Sequence, residues 1–131
     1  SMIRAVATAL KSGEVQIVDG RSLGEYAGTE KGNNPRGGHV PGAINLPHTD
    51  LLQENKRLKP AAVLRQEFES RGVRPGVRIV TYCQSGGRAS LVALAAVRAG
   101  FGPVENYYMS WGEWSADESC PVTLPGEEGR Y

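Results

Sequence analysis

The sequence predicts an α/β domain, a doubly wound central parallel sheet with helices on both faces. Three observations carry the prediction. Short β-branched runs alternate with helical patterns along the chain, as strand–helix–strand units require. Val15-Gln16-Ile17-Val18 reads as a buried strand, as a parallel sheet covered on both faces requires. The length, 131 residues, suits one domain over 1–131, long enough to bury a core without metal or disulfide staples.

Each element follows in order. In residues 3–10, Ile3, Val6, Ala7 and Leu10 fall on one helical stripe, which Gly13 ends. Val15, Gln16, Ile17 and Val18 form a short strand that stops at Asp19-Gly20. The stretch 28–42, with its Gly, Asn and Pro residues, reads as a long surface loop, a common place for function. Ala43 to Leu46 is a second strand candidate, ended by Pro47. Pro60 opens a helix carrying Val63, Leu64 and Phe68, and Gly72 closes it. Residues 77–82 are the strongest strand candidate. The nearly all-apolar residues 89–99 predict a helix buried on most sides, capped by Gly100. Val104 to Tyr107 is a last strand candidate, and the tail from Ser115 is expected to wrap the surface or fray.

Composition narrows the function classes. Hydrophobic residues make up 40% and charged residues 22%, which excludes a disordered or fibrous chain. Fifteen basic against fourteen acidic residues leave a net charge of +1. No global field exists to hold nucleic acid or a membrane surface, so any anion recognition is local. No apolar run is long enough to cross a bilayer and no signal peptide opens the chain, so a cytoplasmic location is expected. Ser1-Met2 reads as a remnant of cloning ahead of a piece of a longer chain, and a removed targeting segment stays open. Cys83 and Cys120 make no disulfide framework, and neither has a second Cys or His at ligand spacing, so no zinc site is expected.

Chemistry points to Cys83-Gln84-Ser85-Gly86-Gly87-Arg88. A buried strand delivers Cys83 to the carboxyl edge of the sheet, where ligands of such folds sit, and Asp19 ends its strand likewise. Gly86 and Gly87 let the backbone curl tightly. The helix expected from about Ala89 turns its unpaired N–H groups and positive dipole end to the loop. Successive amides around one sulfur make an anion nest, and Arg88 adds a charge at the rim. All of these favour thiolate, the nucleophilic form. The alternative is a buried structural thiol in a glycine turn.

The chain resembles the rhodanese (sulfurtransferase) family over nearly its whole length. The resemblance rests on Ile17-Val18-Asp19-Gly20-Arg21, Gly38-His39-Val40-Pro41-Gly42-Ala43-Ile44-Asn45, the cysteine loop, and Ser110-Trp111-Gly112-Glu113-Trp114. It is closest to the catalytic C-terminal domain of two-domain thiosulfate and 3-mercaptopyruvate sulfurtransferases. The resemblance implies transfer of sulfane sulfur from a small donor to a thiol or cyanide through a Cys83 persulfide, without a cofactor. A second rhodanese domain or an acceptor protein would be the partner. Gln84 and Ser85 stand where thiosulfate-selective members carry basic residues. Cys83-x-Ser85-Gly86 leans towards mercaptopyruvate-type loops, yet Glu25 stands where that group carries an arginine. The donor is therefore left open.

Two rivals are weaker. Cysteine phosphatases and arsenate reductases need a longer loop between Cys and Arg, whereas four residues, Gln84 to Gly87, separate Cys83 from Arg88. A non-catalytic rhodanese-like interaction or regulatory module would not need the nucleophile and its loop, although fold alone does not fix function. Among supporting residues, Asp19 and Arg21 match the family's Asp-x-Arg and are expected to brace the active face through an ion pair or hydrogen bonds. Arg36 either reaches a substrate carboxylate or sulfonate, or is a solvated surface arginine. His39 is expected to be structural, Trp111 and Trp114 to pack, and Cys120 to be incidental.

Overall fold

The computed structural model describes residues 8, 15–30, 32, 34–84, 87–107 and 110–123. Four parallel strands, β1 (Val15–Asp19), β2 (Ile44–Asn45), β3 (Arg78–Tyr82) and β4 (Val104–Asn106), form one sheet in the order β2-β1-β3-β4. The chain leaves β1 for one edge, then crosses back to β3 and β4. That reversal puts the topological switch between β1 and β3, where Asp19 stands opposite Tyr82.

Successive side chains point to opposite faces, so neighbours in one strand serve different cores. Val18 and Ile79 join Leu51, Leu64, Phe68, Val92, Ala95, Ala96 and Phe101 on one face. Ile17, Val80 and Tyr82 join Val40, Tyr107, Trp111, Trp114 and Cys120 on the other. The first face is covered by α2 (Ala61–Ser70) and α3 (Gly87–Arg98), the second by α4 (Ser110–Ala116). Leu64 and Phe68 of α2 are fully buried, each contributing about 1.5–3 kcal/mol of hydrophobic stabilisation. Both faces are thus clothed, as the apolar strands require.

Several expectations need correction. The helix expected over 3–10 lies outside the described residues. Three strand runs are shorter than expected, since Val77 precedes β3, Ala43 and Leu46 flank β2, and Tyr107 follows β4, whereas β1 runs one residue further, to Asp19. The helix expected over 89–99 begins at Gly87, and it is not buried on most sides. Ala89, Val92, Ala95 and Ala96 face the sheet, while Leu94 is 51% exposed and Val97 59%. Only one face of this helix meets the sheet, and its small alanines let it lie close.

Two elements were not expected at all. α1 (Leu23–Ala27) buries none of its residues, so it shows no apolar period. A capping box defines it instead: Ser22 Oγ accepts from the Glu25 N–H, and the Glu25 carboxylate accepts from the Ser22 N–H. A 3₁₀ turn (His48–Leu51) then carries Leu51 into the core. The stretch 28–42 is more than a surface loop. Its backbone passes so close to Gly28 that a Cβ on Gly37 would meet the Gly28 carbonyl at 3.1 Å. His39, Val40 and Pro41 at its end are buried. Nor does the tail only wrap the surface: Ser115 belongs to α4, Cys120 is buried in the core, and Thr123 pairs with His39 in both directions at 3.0 and 2.8 Å. No helix among the described residues is long and apolar enough to cross a membrane.

Candidate active site

At the carboxyl end of β3 the chain turns, at Cys83, towards α3. Three hydrogen bonds hold the turn. The Cys83 N–H donates to Ser110 Oγ at 3.1 Å, and the Cys83 carbonyl accepts from the Trp111 N–H at 2.8 Å. The Gln84 carbonyl accepts from the Gly112 N–H at 3.1 Å. The first turn of α4 therefore fixes the backbone on both sides of the cysteine. Ser110 adopts a left-handed backbone, φ 54°, which a non-glycine residue occupies only where its surroundings require it. Its hydroxyl also donates to the Tyr107 carbonyl at 2.8 Å, so donor and acceptor roles are both used.

The sulfur is addressed by the helix that follows. The Ala89 N–H, in the first turn of α3, donates to Cys83 Sγ at 3.3 Å. That N–H is one of the donors a helix start leaves without an intrahelical partner, and here it meets the atom that can carry negative charge. Thr81 Oγ1 donates to the Ala89 carbonyl at 3.0 Å and ties this turn to β3. Cys83 itself is 1% exposed, which screens its sulfur from bulk water.

Beneath the turn lies a buried charge network. The Asp19 carboxylate accepts from Arg21 Nε and Nη2, the latter at 2.8 Å, and from the Tyr82 hydroxyl at 2.7 Å. Arg21 Nη2 also reaches the Gly38 carbonyl at 2.7 Å, and its guanidinium lies 4.6 Å above the Trp111 ring. Every charge is paired and hydrogen-bonded, the condition under which burial of both ions is tolerated. Burial drives the Tyr82 hydroxyl well above its ordinary range, and the Asp19 charge adds to it, so it stays a neutral donor.

Arg88 turns to α1. Its Nη1 and Nη2 donate to the two oxygens of Glu25 at 2.7 and 3.0 Å. This two-point bond, with help from the Ser22 N–H, pulls the Glu25 carboxyl down to about 2 despite partial burial. Glu25 in turn is the main cause that raises Arg88, with Cys83 and Asp19 adding smaller contributions, so the sulfur lies within the electrostatic reach of Arg88. Beside the pair opens a cavity of about 260 Å³, whose walls include Ser22, Leu23, His48, Thr49 and Arg88.

The structure thus brings Cys83, Gly87 and Arg88 to one loop and helix start, with Asp19 and Arg21 as the brace below. Gln84 points its amide to Asn34, exchanging hydrogen bonds at 2.8 and 2.7 Å. Ser85 and Gly86 lie outside the described residues. Arg36 is neither a ligand arm nor a solvated arginine here: it donates to the carbonyls of Trp114, Ser115 and Asp117 at the end of α4. His39 stacks on Tyr26 at 3.6 Å and its Nδ1 bonds the Tyr26 carbonyl. Cys120 packs in the second core, where burial first and then Asp117 push its thiol up. Ser110, Glu25 and Asn34 were not among the candidates. Of these, Ser22-x-x-Glu25 carried a local signal as a capping box.

Residues 3–117 match the family model for the rhodanese-like domain. The chain belongs to the rhodanese family. This rhodanese domain is 36% identical over 115 residues to a thiosulfate sulfurtransferase of Azotobacter vinelandii, covering 88% of this chain and 42% of that protein. It is 38% identical over 109 residues to human (Homo sapiens) 3-mercaptopyruvate sulfurtransferase, covering 80% of this chain and 36% of that one. The chain therefore spans less than half the length of these curated relatives. Among solved structures, the anaerobic ergothioneine biosynthesis enzyme from Chlorobium limicola superposes with a TM-score of 0.85 at 23% identity, over 94% of this chain and 31% of that one. That likeness is one of rhodanese fold.

Proposed function

We propose that this domain is a sulfurtransferase in which Cys83 carries sulfane sulfur as a persulfide. The observation that carries the proposal is the Ala89 N–H aimed at Cys83 Sγ from the start of α3, at the sheet's switch point. The names of the curated relatives support the same reaction class.

The chemistry balances without a cofactor. The Cys83 thiolate attacks the outer sulfur of thiosulfate, a new S–S bond forms, and the old one breaks with its electron pair leaving as sulfite. With mercaptopyruvate the C–S bond breaks instead, and the enolate of pyruvate takes the proton. An acceptor such as cyanide or a thiol then attacks the terminal sulfur, and the pair returns to Cys83 as thiolate. The two half-reactions make a ping-pong cycle. On the enzyme the negative charge resides on sulfur in the thiolate and the persulfide alike, and the preorganised Ala89 N–H at the helix start stabilises it with little reorganisation. Arg88 contributes long-range charge. Its engagement with Glu25 also counts against a phosphatase loop, which needs that arginine free to grip an oxyanion.

Steady-state thiocyanate formation tests the proposal. Parallel lines in double-reciprocal plots of thiosulfate against cyanide, lost entirely in Cys83→Ser, are the expected result. Turnover retained by Cys83→Ser would overturn it.

A further inference from the structure

We propose that Asn34 is a positioning residue for sulfur transfer: paired with Gln84 and carried on a strap fastened to α4, it fixes the turn that presents Cys83. The proposal rests on the sulfurtransferase reading above.

Asn34 and Gln84 meet across 50 positions of chain. Asn34 Nδ2 donates to Gln84 Oε1 at 2.8 Å, and Gln84 Nε2 donates to Asn34 Oδ1 at 2.7 Å. Each amide thus gives the other both a donor and an acceptor. Gln84 directly follows the nucleophile, and its backbone is held as well. The carbonyls of Cys83 and Gln84 accept from the Trp111 and Gly112 N–H groups at 2.8 and 3.1 Å. Both of these attachments come from one turn of α4, and two attachments leave rotation about the line between them. The Asn34 clasp on the side chain removes that freedom.

Asn34 serves as a fixed post because its own segment is anchored. Pro35 restricts its own φ and the backbone of Asn34 before it. Arg36 donates to the carbonyls of Trp114, Ser115 and Asp117 at 3.1, 2.9 and 2.7 Å, and its own carbonyl accepts from Trp111 Nε1 at 3.2 Å. The far end of α4 therefore holds the strap, and the strap holds the residue after Cys83. The geometry at the sulfur depends on that hold. The Ala89 N–H reaches Cys83 Sγ at 3.3 Å, and a hydrogen bond weakens steeply as its angle closes. Attack on a donor sulfur needs comparable alignment, and a small displacement there costs rate more than affinity.

The test follows sulfur loading of the whole chain by intact mass in single turnovers over a range of thiosulfate. It compares wild type, Asn34→Ala, Gln84→Ala and the double variant. Asn34→Ala should lower the saturating loading rate about three- to tenfold, while the thiosulfate concentration for half-maximal rate changes less than about twofold. A merely structural residue would lower the urea midpoint and leave the saturating rate of the folded protein unchanged, and that result would overturn the proposal. The double variant should load no more slowly than Gln84→Ala, because both changes break one clasp. Losses that multiply would mean that Asn34 acts apart from Gln84, and would overturn it too. If Asn34→Ala does not fold, the exchanged pair Asn34→Gln with Gln84→Asn replaces it, since it keeps both amides and their summed length. The exchanged pair should load within about twofold of wild type and Asn34→Gln alone at least about threefold more slowly. Equal rates in the two would overturn the proposal. Wild type that loads sulfur on Cys83 while the Asn34 variants load as fast defeats only the role of Asn34. Wild type that loads no sulfur from thiosulfate or mercaptopyruvate defeats the sulfurtransferase reading and this proposal with it.

Discussion

Cys83 and Cys120 are both buried, at 1% and 5% exposure, but their surroundings differ in kind. Cys120 is packed among Val40, Tyr107, Trp111 and Trp114, whereas the Cys83 sulfur receives a helix-start N–H. Cys120→Ser should therefore keep most sulfur uptake and cost about 1–3 kcal/mol of stability from a hydroxyl placed in the apolar core. Parallel loss of uptake in that variant would show that Cys120 takes part. Cys83 was legible in the sequence because glycines and an arginine punctuate its loop. Ser110 was not, since its hydroxyl meets the Cys83 N–H across 27 positions of chain. Asp19 and Arg21 were legible as a pair through the resemblance to the family's Asp-x-Arg, while the Tyr82 hydroxyl that completes the network was not. Asp19→Asn would leave Arg21 buried without its counter-charge. A loss of about 3–5 kcal/mol in urea unfolding is expected; a loss below about 1 kcal/mol would mean the network is not the brace described.

Helix α3 was legible as a helix from its composition, but not its exposure, because an apolar sequence does not say how many faces a neighbour covers. Leu94→Gln and Val97→Gln should change stability by less than about 0.5 kcal/mol, whereas Val92→Ala should cost about 2 kcal/mol through the lost methyls and the cavity left. Equal costs at all three positions would restore the fully buried helix. Helix α1 was missed because none of its residues is fully buried and only Tyr26 packs against a core, yet it delivers Glu25 to Arg88. Glu25 titrates at about 2 in the folded protein against its ordinary 4.5. A lowered carboxyl stabilises the fold fully above the unfolded value and loses that contribution as pH falls towards the folded one. Because the pair is partly solvated, the contribution is about 1 kcal/mol or less. Urea unfolding of wild type and Glu25→Gln should differ by that amount near pH 6 and converge towards pH 2. A difference that grows in acid would contradict the ion pair.

Across the molecule, the two-sided parallel sheet followed from apolar strand runs alternating with helical segments, and it placed Asp19 and Cys83 at one edge before any contact was known. Strand order was beyond local pattern, since it depends on which runs pair. With the order β2-β1-β3-β4, the switch between β1 and β3 is where the cysteine turn, the buried network and the cavity beside Arg88 converge. The chemistry we propose draws only on groups of this domain, and the chain spans less than half of its curated relatives. Intact mass spectrometry of the whole chain, after incubation with thiosulfate or mercaptopyruvate, tests this most directly. The account predicts one added sulfur atom, mapped to Cys83, absent in Cys83→Ser and discharged by cyanide. No added sulfur from either donor, in folded protein with Cys83 reduced, would contradict it.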